Sequence, residues 1–433
     1  MVSPPTGAET ISRRLIVGIV VLYCLVFFSI DHTPTKSLTV NDPEMARLQV
    51  EGISTGSTRR PIAFLVLGLS GMFFLMKKRR LDFAIHKVHL CLIALYVAWA
   101  WLSYFWADDP LLVMKRVVSF SLTLFAALAL SRALPKGAFL SVVFGVSVVF
   151  VLIGIVAEKL LGTFNPLVEG YRFSGTRGPE GQGFDCGILL LSAWAISDGR
   201  TGFARLAYRS FSVAGLLFLV LTRARGPFAG VMIAMVAYHY LTRRRLNTFN
   251  VVFIALLIAC LLVLVLGWAD FSAALLMGRQ DEAKTLTGRI PLWAECLDYV
   301  TERPWTGYGF NGFWTEERVM DVSKSQDWIN FSGHSVYLDT VLNLGIVGLA
   351  LLVAVLLSAL SSGVRRVKRS PDVVSSFLVA VILLICIDGL LSSVVIESGF
   401  SMFLLLAGAF YLGFSGTGDI GDQEVASRGG IPH

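Results

Sequence analysis

Arginines near the ends of apolar runs are the residues here with the clearest capacity for chemistry. The stretch "LTRARGPFAG" (221–230) carries two of them, Arg223 and Arg225, between two apolar runs. A guanidinium is planar and presents several N–H donors in a fixed fork, which matches the oxygens of a phosphate. Several such groups converging at one place would form a seat for a diphosphate. The set is Arg172, Arg177, Arg223, Arg225 and Arg289.

The alternative for each arginine is that its guanidinium extends to phospholipid headgroups. For any one of them taken alone, the two interpretations are equally good. Arg225 favours the first, because Pro227 and Gly230 follow it in a tight turn that leaves the side chain little room.

One histidine stands where a long polar segment meets an apolar run. His334 lies in "NFSGHSVYLDTVLNLGIVGLALLV" (330–353). An imidazole titrates near neutral pH, so it can take a proton from a hydroxyl group. The alternative is a histidine that caps or hydrogen-bonds the start of a helix.

Composition identifies the class of protein that must position these groups. Of 433 residues, 55% are hydrophobic and only 15% are charged, with a mean hydropathy of +0.70. Such values, in long apolar runs, predict an all-α, polytopic integral membrane protein. The net charge of +7 does not indicate nucleic-acid binding, because most of the excess lies in short loops between apolar runs.

About twelve spans are expected, with one large outer loop between spans nine and ten. Six clusters of Lys and Arg lie next to the predicted spans. If the chain has twelve spans, all six clusters lie on the same side of the membrane. That side is then the cytoplasm, and both termini are cytoplasmic. The predicted spans are 15–30, 61–76, 88–106, 111–131, 138–158, 183–197, 208–222, 226–241, 249–268, 336–360, 373–393 and 398–414.

The remaining organisation is simple. Residues 1–414 are expected to form a single transmembrane domain, in which 269–335 is a loop subdomain on the outer side. A loop this long is usually functional. "GRIPLWAECLDYVTERP" within it has helical spacing and stops at Pro304. Residues 415–433 are expected to be a disordered cytoplasmic tail.

Two segments in this order resemble a known family. "TGRIPLWAECLDYVTERPWTGYGFNGF" (287–313), followed by "GHSVYLDTVLNLGIVGLALL" (333–352), resembles the O-antigen ligase and O-antigen polymerase superfamily. Upstream, "LTRARGPFAG", "WLSYFWADDPLLVMKR" (101–116) and "RFSGTRGPEGQGFDCGILLL" (172–191) resemble its arginine-glycine, tryptophan and arginine segments. The resemblance covers roughly residues 95 to 413.

The resemblance implies a fold similar to the GT-C glycosyltransferases and a donor in which an oligosaccharide is linked to undecaprenyl diphosphate. It implies transfer of that sugar chain to a saccharide hydroxyl on the periplasmic face, with inversion and with neither metal nor cofactor. The absence of an Asp-x-Asp pair on the outer face agrees, since Asp108–Asp109 reads as a turn before Pro110.

Roles follow for the residues that match. Arg225, which Gly226 follows as in the family, and Arg289 would clamp the diphosphate, and His334 would deprotonate the acceptor. Further substrate-binding candidates are Arg172, Arg177, Arg223, Tyr308 and Glu397. Tyr308 either stacks on a sugar ring or packs in the loop. Glu397, like Asp388 across the same short turn, either orients the histidine or a sugar hydroxyl or lies in the interface.

Three functions remain open. The leading one is a polymerase that extends an exopolysaccharide or O-antigen chain, with a chain-length regulator as a possible partner. The second is a ligase that attaches the finished chain to lipid A-core. A flippase for lipid-linked sugars is the alternative from another class, and the lack of an inverted repeat weighs against it.

Overall fold

The computed structural model describes residues 13–32, 59–77, 87–168, 170–243, 289–324, 329–394 and 399–413, and these residues fold into helices joined by turns and loops. The helices are α1 (Arg13–Asp31), α2 (Arg59–Lys77), α3 (Lys87–Leu102), α4 (Pro110–Ala133), α5 (Lys136–Leu160), α6 (Gly178–Asp198), α7 (Gly202–Thr222), α8 (Arg225–Arg243), α9 (Arg289–Glu302), α10 (Glu316–Ser323), α11 (Val336–Arg369), α12 (Val373–Asp388) and α13 (Phe400–Gly413).

The predicted class, an all-α polytopic membrane protein, is confirmed. Seven of the helices are long and apolar enough to cross a membrane, namely α1 to α5, α7 and α11, and α12 and α13 are shorter apolar helices. The predicted spans 183–197 and 226–241 lie in α6 and α8. The predicted span 249–268 and the tail from residue 415 lie outside the described residues.

The centre of the bundle is built from helices that are buried on nearly every side, and α13 is also apolar all round. All residues of α13 are buried, and α6 is buried from Gly181 nearly to its end. A helix that is hydrophobic all round belongs inside a bundle. Apolar side chains on α2, α3 and α7 instead point outward, where hydrocarbon replaces water as the solvent.

Small residues allow the closest crossings. A β-carbon added to Gly215 of α7 would lie 3.0 Å from the Cys186 carbonyl oxygen of α6. Membrane helices associate through such small residues, because apolar burial gives no advantage over lipid. The α6–α7 pair is therefore packed backbone to backbone. This close crossing holds in place the segment before α6 and the turn after α7.

The sequence predicts one uninterrupted span over 336–360, and the structure differs from this at Gly345. This residue has φ 68° and ψ −173°, and α11 is kinked there. Only glycine adopts this region readily. A β-carbon at Gly345 would also overlap the backbone of Trp305 and Thr306.

The chain segment from Pro304 to Tyr308 supplies the hydrogen bonds that the kink would otherwise lose. Ile346 N donates to Pro304 O at 2.8 Å, and Tyr308 N donates to Leu342 O at 2.9 Å. The indole of Trp99 donates to Leu344 O at 3.0 Å. Irregular backbone at membrane depth is tolerated only where protein satisfies it in this way. The loop is thereby fastened to α11.

The described part of the long loop has an apolar core of its own. Its buried members are Leu292, Cys296, Tyr308, Phe313, Trp314, Val319, Val322 and, from α11, Leu342. The helix predicted to stop at Pro304 is α9 (Arg289–Glu302). Because this core includes Leu342, the loop packs as a compact body against the first turns of α11.

Gly345→Ala is expected to destabilise the protein strongly. The backbone strain alone costs about 1–3 kcal/mol, and the overlap with Trp305 adds to it. Thermal unfolding of the purified protein in detergent measures the loss. Gly18→Ala is the matched control, because a β-carbon there meets nothing within 4 Å. Equal melting temperatures for the two variants would contradict the role given to the kink.

Candidate functional site

A carboxylate in the first turn of α6 lies between two of the predicted site residues. Glu180 Oε1 forms an ion pair with Arg289 Nη2, at the start of α9. Glu180 Oε2 lies 3.7 Å from His334 Nδ1, just before α11. The side chains of Glu180, Arg289 and His334 are 29%, 15% and 35% exposed, so the group is open on one side. The structure thus brings Arg289 and His334 to one place.

The backbone around His334 is held on both sides. His334 has φ 49°, a left-handed conformation that is uncommon outside glycine. Gly333 N donates to Asp339 Oδ1 at 2.9 Å, and Gly333 O accepts from the Trp293 indole at 2.8 Å. The Trp314 indole donates to the same Asp339 oxygen at 2.7 Å. The imidazole therefore projects from a fixed loop.

The residue that caps the start of α11 is not His334 but its neighbour. Ser335 is the N-cap of α11, and its side chain accepts a hydrogen bond from Leu338 N. His334 itself stands one residue outside the helix. Its side chain is therefore not needed to cap α11.

Arg172 lies beside this group. The carboxylate of Glu180 interacts electrostatically with Arg172 as well as with Arg289 and His334. Arg172 Nε donates to Thr222 O at 3.3 Å, and the next residue, Phe173, donates to Leu221 O at 2.9 Å. These bonds join the segment before α6 to the end of α7.

Arg177 is placed differently, in a buried ion cluster. Its guanidinium is 2.7 Å from Asp185 Oδ1 and 3.7 Å from Asp31 Oδ2, and its side chain is 6% exposed. Asp31 also accepts from Phe400 N at 2.8 Å. Buried charges require such partners. Arg177 therefore ties α1, α6 and α13 together beneath the open group.

Arg223 and Arg225 flank the turn between α7 and α8. Arg223 follows the last residue of α7 with φ 51°, and Arg225 is the first residue of α8. A β-carbon on Gly226 would lie 2.7 Å from Asp388 Oδ1, so this turn lies against the end of α12. Both arginine side chains are half-buried.

Asp388 is the last residue of α12 and is 1% exposed. It feels the charges of Glu180, Arg289 and Arg177. Ser392 lies nearby, yet neither Asp388 oxygen makes a hydrogen bond of ordinary geometry to the residues that the structure describes. A buried carboxylate without donors is costly. The carboxylate lies buried between the end of α12 and the α7–α8 turn.

Tyr308 does not lie with Arg289 and His334. It is 2% exposed, and its hydroxyl donates to Glu302 Oε2 at 2.6 Å. The guanidiniums of Arg303 and Arg318 lie 4.6 and 4.3 Å from the centre of its ring. Both also pair with Asp108, in the turn before α4. We call these four groups, Asp108, Arg303, Arg318 and Tyr308, the aspartate clamp, because they fasten the loop to that turn.

One predicted residue lies outside the described part of the chain, and the structure adds one residue that the sequence did not predict. Glu397 lies outside the described residues, as do its neighbours 395–398. Glu180 was not predicted from the sequence. The signal that pointed to it was present, since it is the one carboxylate in "RFSGTRGPEGQG" among predicted phosphate-binding arginines.

The fold and the site define a polytopic membrane protein with a polar, arginine- and histidine-containing group at one end of its helix bundle. Residues 210–353, which include Arg223, Arg225, Arg289 and His334, match the family described as O-antigen ligase. The exopolysaccharide production protein ExoQ of Rhizobium meliloti (strain 1021) is 24% identical over 314 residues, covering 67% of this chain and 69% of that protein.

These matches confirm the resemblance to the O-antigen ligase and polymerase family. They support a function of the ligase or polymerase type in a multi-pass membrane protein, with polysaccharide or lipid-linked substrates in general.

Asp108→Asn is expected to lower the melting temperature by about 1–2 °C at neutral pH, the usual effect of a partly exposed ion pair. Burial raises the pKa of Asp108, but hydrogen bonds and charges from Arg318 and Arg303 outweigh it and hold the pKa below its ordinary value. A lowered pKa gives stability that is present above the unfolded value of about 3.9 and is lost as pH falls below it.

The difference between wild type and Asp108→Asn is therefore constant above about pH 5 and shrinks in more acidic buffer. Melting curves over a pH series check this. Asp298→Asn, which alters an exposed carboxylate on α9, is the control. A difference that grows on acidification would refute the clamp.

Proposed function

We propose that the protein is a metal-independent, inverting glycosyltransferase that moves an oligosaccharide from undecaprenyl diphosphate to a saccharide hydroxyl. The observation that carries the proposal is that Arg289 and His334 meet at one carboxylate, which also lies within electrostatic range of Arg172. Charged donors for a phosphate and a proton acceptor are the two kinds of group that this reaction needs.

The chemistry is a displacement at the anomeric carbon. The bond from this carbon to the diphosphate oxygen breaks, and its electron pair leaves with the diphosphate. Arg289 and Arg225 stabilise the negative charge that develops there, and such stabilisation accelerates the reaction when it is stronger in the transition state. The acceptor oxygen forms the new bond and gives its proton to His334.

The other predicted groups divide by position. Arg172 is suited to the diphosphate, because both Arg172 and Arg289 interact electrostatically with Glu180. Asp388 is buried against the α7–α8 turn, so it is placed to support that turn. Arg177 supports the site from beneath through Asp185 and Asp31. Arg223 remains a candidate from the α7–α8 turn.

The proposed location is the bacterial inner membrane, with the site on the periplasmic face and both termini in the cytoplasm. α11 begins beside His334 and carries Arg366, Lys368 and Arg369 in its last turn. α1 begins with Arg13 and Arg14 and ends at Asp31, which pairs with Arg177 near the site. Positive residues at the end of the bundle away from the site agree with this orientation.

Polymerase and ligase share the donor and differ in the acceptor. We favour an exopolysaccharide or O-antigen polymerase, which the relative's name, exopolysaccharide production protein, supports. The family's description, O-antigen ligase, supports the ligase. For that alternative the acceptor we propose is lipid A-core. A flippase is less well supported, because it needs polar groups along the whole path and the candidate residues gather at one end.

Arg289→Ala, Arg225→Ala and His334→Ala are each expected to reduce transfer about 100-fold or more, since one lost charge-stabilising donor or general base costs that much. The assay follows release of undecaprenyl diphosphate from radiolabelled lipid-linked oligosaccharide by purified protein in nanodiscs, and it is expected to be unchanged by a chelator.

Arg205→Ala is the control, because Arg205 is exposed near the start of α7, at the other end of that helix from Arg223. Turnover like that of wild type in all three site variants would refute the assignment. Inhibition by chelator that added divalent cation restores would refute the metal-independent mechanism alone.

Deletion of the gene separates the two acceptors. A polymerase mutant is expected to display or export single repeat units, because chain growth is the step that is lost. Gel analysis of surface polysaccharide and of the lipid carrier measures this, with complementation by the intact gene as control. Long chains that accumulate on the carrier would instead identify the ligase.

A further inference from the structure

Glu180 contacts both halves of the proposed chemistry. One carboxylate oxygen pairs with Arg289 and the other faces His334 Nδ1 at 3.7 Å. The residue belongs to α6, whereas its two partners belong to the long loop. Through Glu180, the helix bundle sets the position of the base relative to the leaving-group site.

We propose that Glu180 is a positioning residue: its carboxylate holds His334 with Nδ1 toward α6, which leaves Nε2 to take the acceptor's proton. The inference rests on the proposed function and adds a residue to it. Glu180 touches neither the donor nor the acceptor in this scheme and acts through the imidazole and the guanidinium.

The chemistry of imidazole gives the reason. A neutral imidazole has one N–H and one lone pair, and the hydrogen bond at one nitrogen decides which nitrogen keeps the lone pair. A carboxylate accepts only, so it selects the tautomer with the proton on Nδ1. The separation of 3.7 Å is longer than a hydrogen bond, and such contacts often tighten only when substrate is bound.

The proton balance also suits a carboxylate in this position. When the acceptor hydroxyl is deprotonated, Nε2 gains the proton, Nδ1 keeps its own, and the imidazole becomes a cation. Glu180 stabilises that cation while Arg289 faces the departing diphosphate. A negative charge beside a transient imidazolium is the same logic by which an aspartate orients a catalytic histidine.

Among the residues that the structure describes, the other charged groups around His334 do not replace this role. Asp339, on α11 itself, feels the charge of His334, but its oxygens accept from Gly333, Trp314 and Ser393. Asp388 on α12 and Arg172 before α6 act on Glu180. Arg289 on α9 and the imidazole of His334 both lie next to the carboxylate of Glu180.

A competing role for Glu180 gives a different result. If its carboxylate merely occupied the phosphate site and had to be displaced, removing its charge would free Arg289. The donor would then bind more tightly, and turnover would stay the same or rise.

The test separates turnover from binding in Glu180→Gln, Glu180→Asp and wild type. Glu180→Gln keeps the size of the side chain but removes the charge, and kcat is expected to fall about 100-fold or more, with the KM for the lipid-linked donor within about threefold. Glu180→Asp keeps the charge and is expected to recover part of kcat. Glu317→Gln, an exposed carboxylate of α10, is the matched control.

The double variant Glu180→Gln/His334→Ala is expected to be no slower than His334→Ala, because residues that act as a unit are not additive. Unchanged kcat in Glu180→Gln, or a lower donor KM with equal or higher kcat, would overturn the inference. A His334→Ala variant with full activity would instead remove the proposed base itself. Loss in His334→Ala with none in Glu180→Gln refutes only the positioning role.

Discussion

The kink of α11 at Gly345 fixes where the long loop lies. Backbone groups in a hydrocarbon environment must be satisfied by protein, and here the segment 304–308 and Trp99 supply the partners. α9 directly precedes that segment, and His334 stands just before α11. The same hydrogen bonds that allow the break therefore hold the two loop-borne site residues, Arg289 and His334, near each other.

Charge pairing then sorts the arginines into two kinds. Arg177 is almost fully buried between two carboxylates, and breaking such a pair is costly because it leaves a buried charge uncompensated. Arg289 shares its carboxylate with His334 and remains partly exposed. Burial thus separates an arginine that holds helices together from one that is accessible to a ligand, although both stand near ends of apolar runs.

The sequence predicted the helices well because the hydropathy of an apolar run depends on its own residues and not on contacts with distant parts of the chain. Arg289 and His334 could be selected because few residue types bind phosphate or accept a proton at neutral pH. Glu180 could not be selected by residue type, because its role depends on contacts with α9 and with the start of α11. Its place among the predicted arginines is the one signal that the sequence carries for it. For Tyr308 the sequence leaves open a sugar contact or packing in the loop, because the clamp with Asp108 depends on the turn before α4.

The kink itself illustrates the same limit. The run "NLGIVGLALL" is as apolar as an unbroken span, so hydropathy predicts continuity through Gly345. Only the approach of Trp305 and Thr306 to that glycine distinguishes a kink from a helix. A glycine in a membrane span carries information that appears only when its partner backbone is known.

The site is assembled from two bodies that different forces hold in place. One is the bundle end with Arg172, Glu180 and the α7–α8 turn, which the α6–α7 crossing and the buried Arg177 cluster make rigid. The other is the loop with its own apolar core, which the kink and the aspartate clamp fasten. Glu180 spans the junction between them. The carboxylate of Glu180 therefore relates the position of the bundle end to that of Arg289 and His334, the residues proposed to bind phosphate and to act as the base.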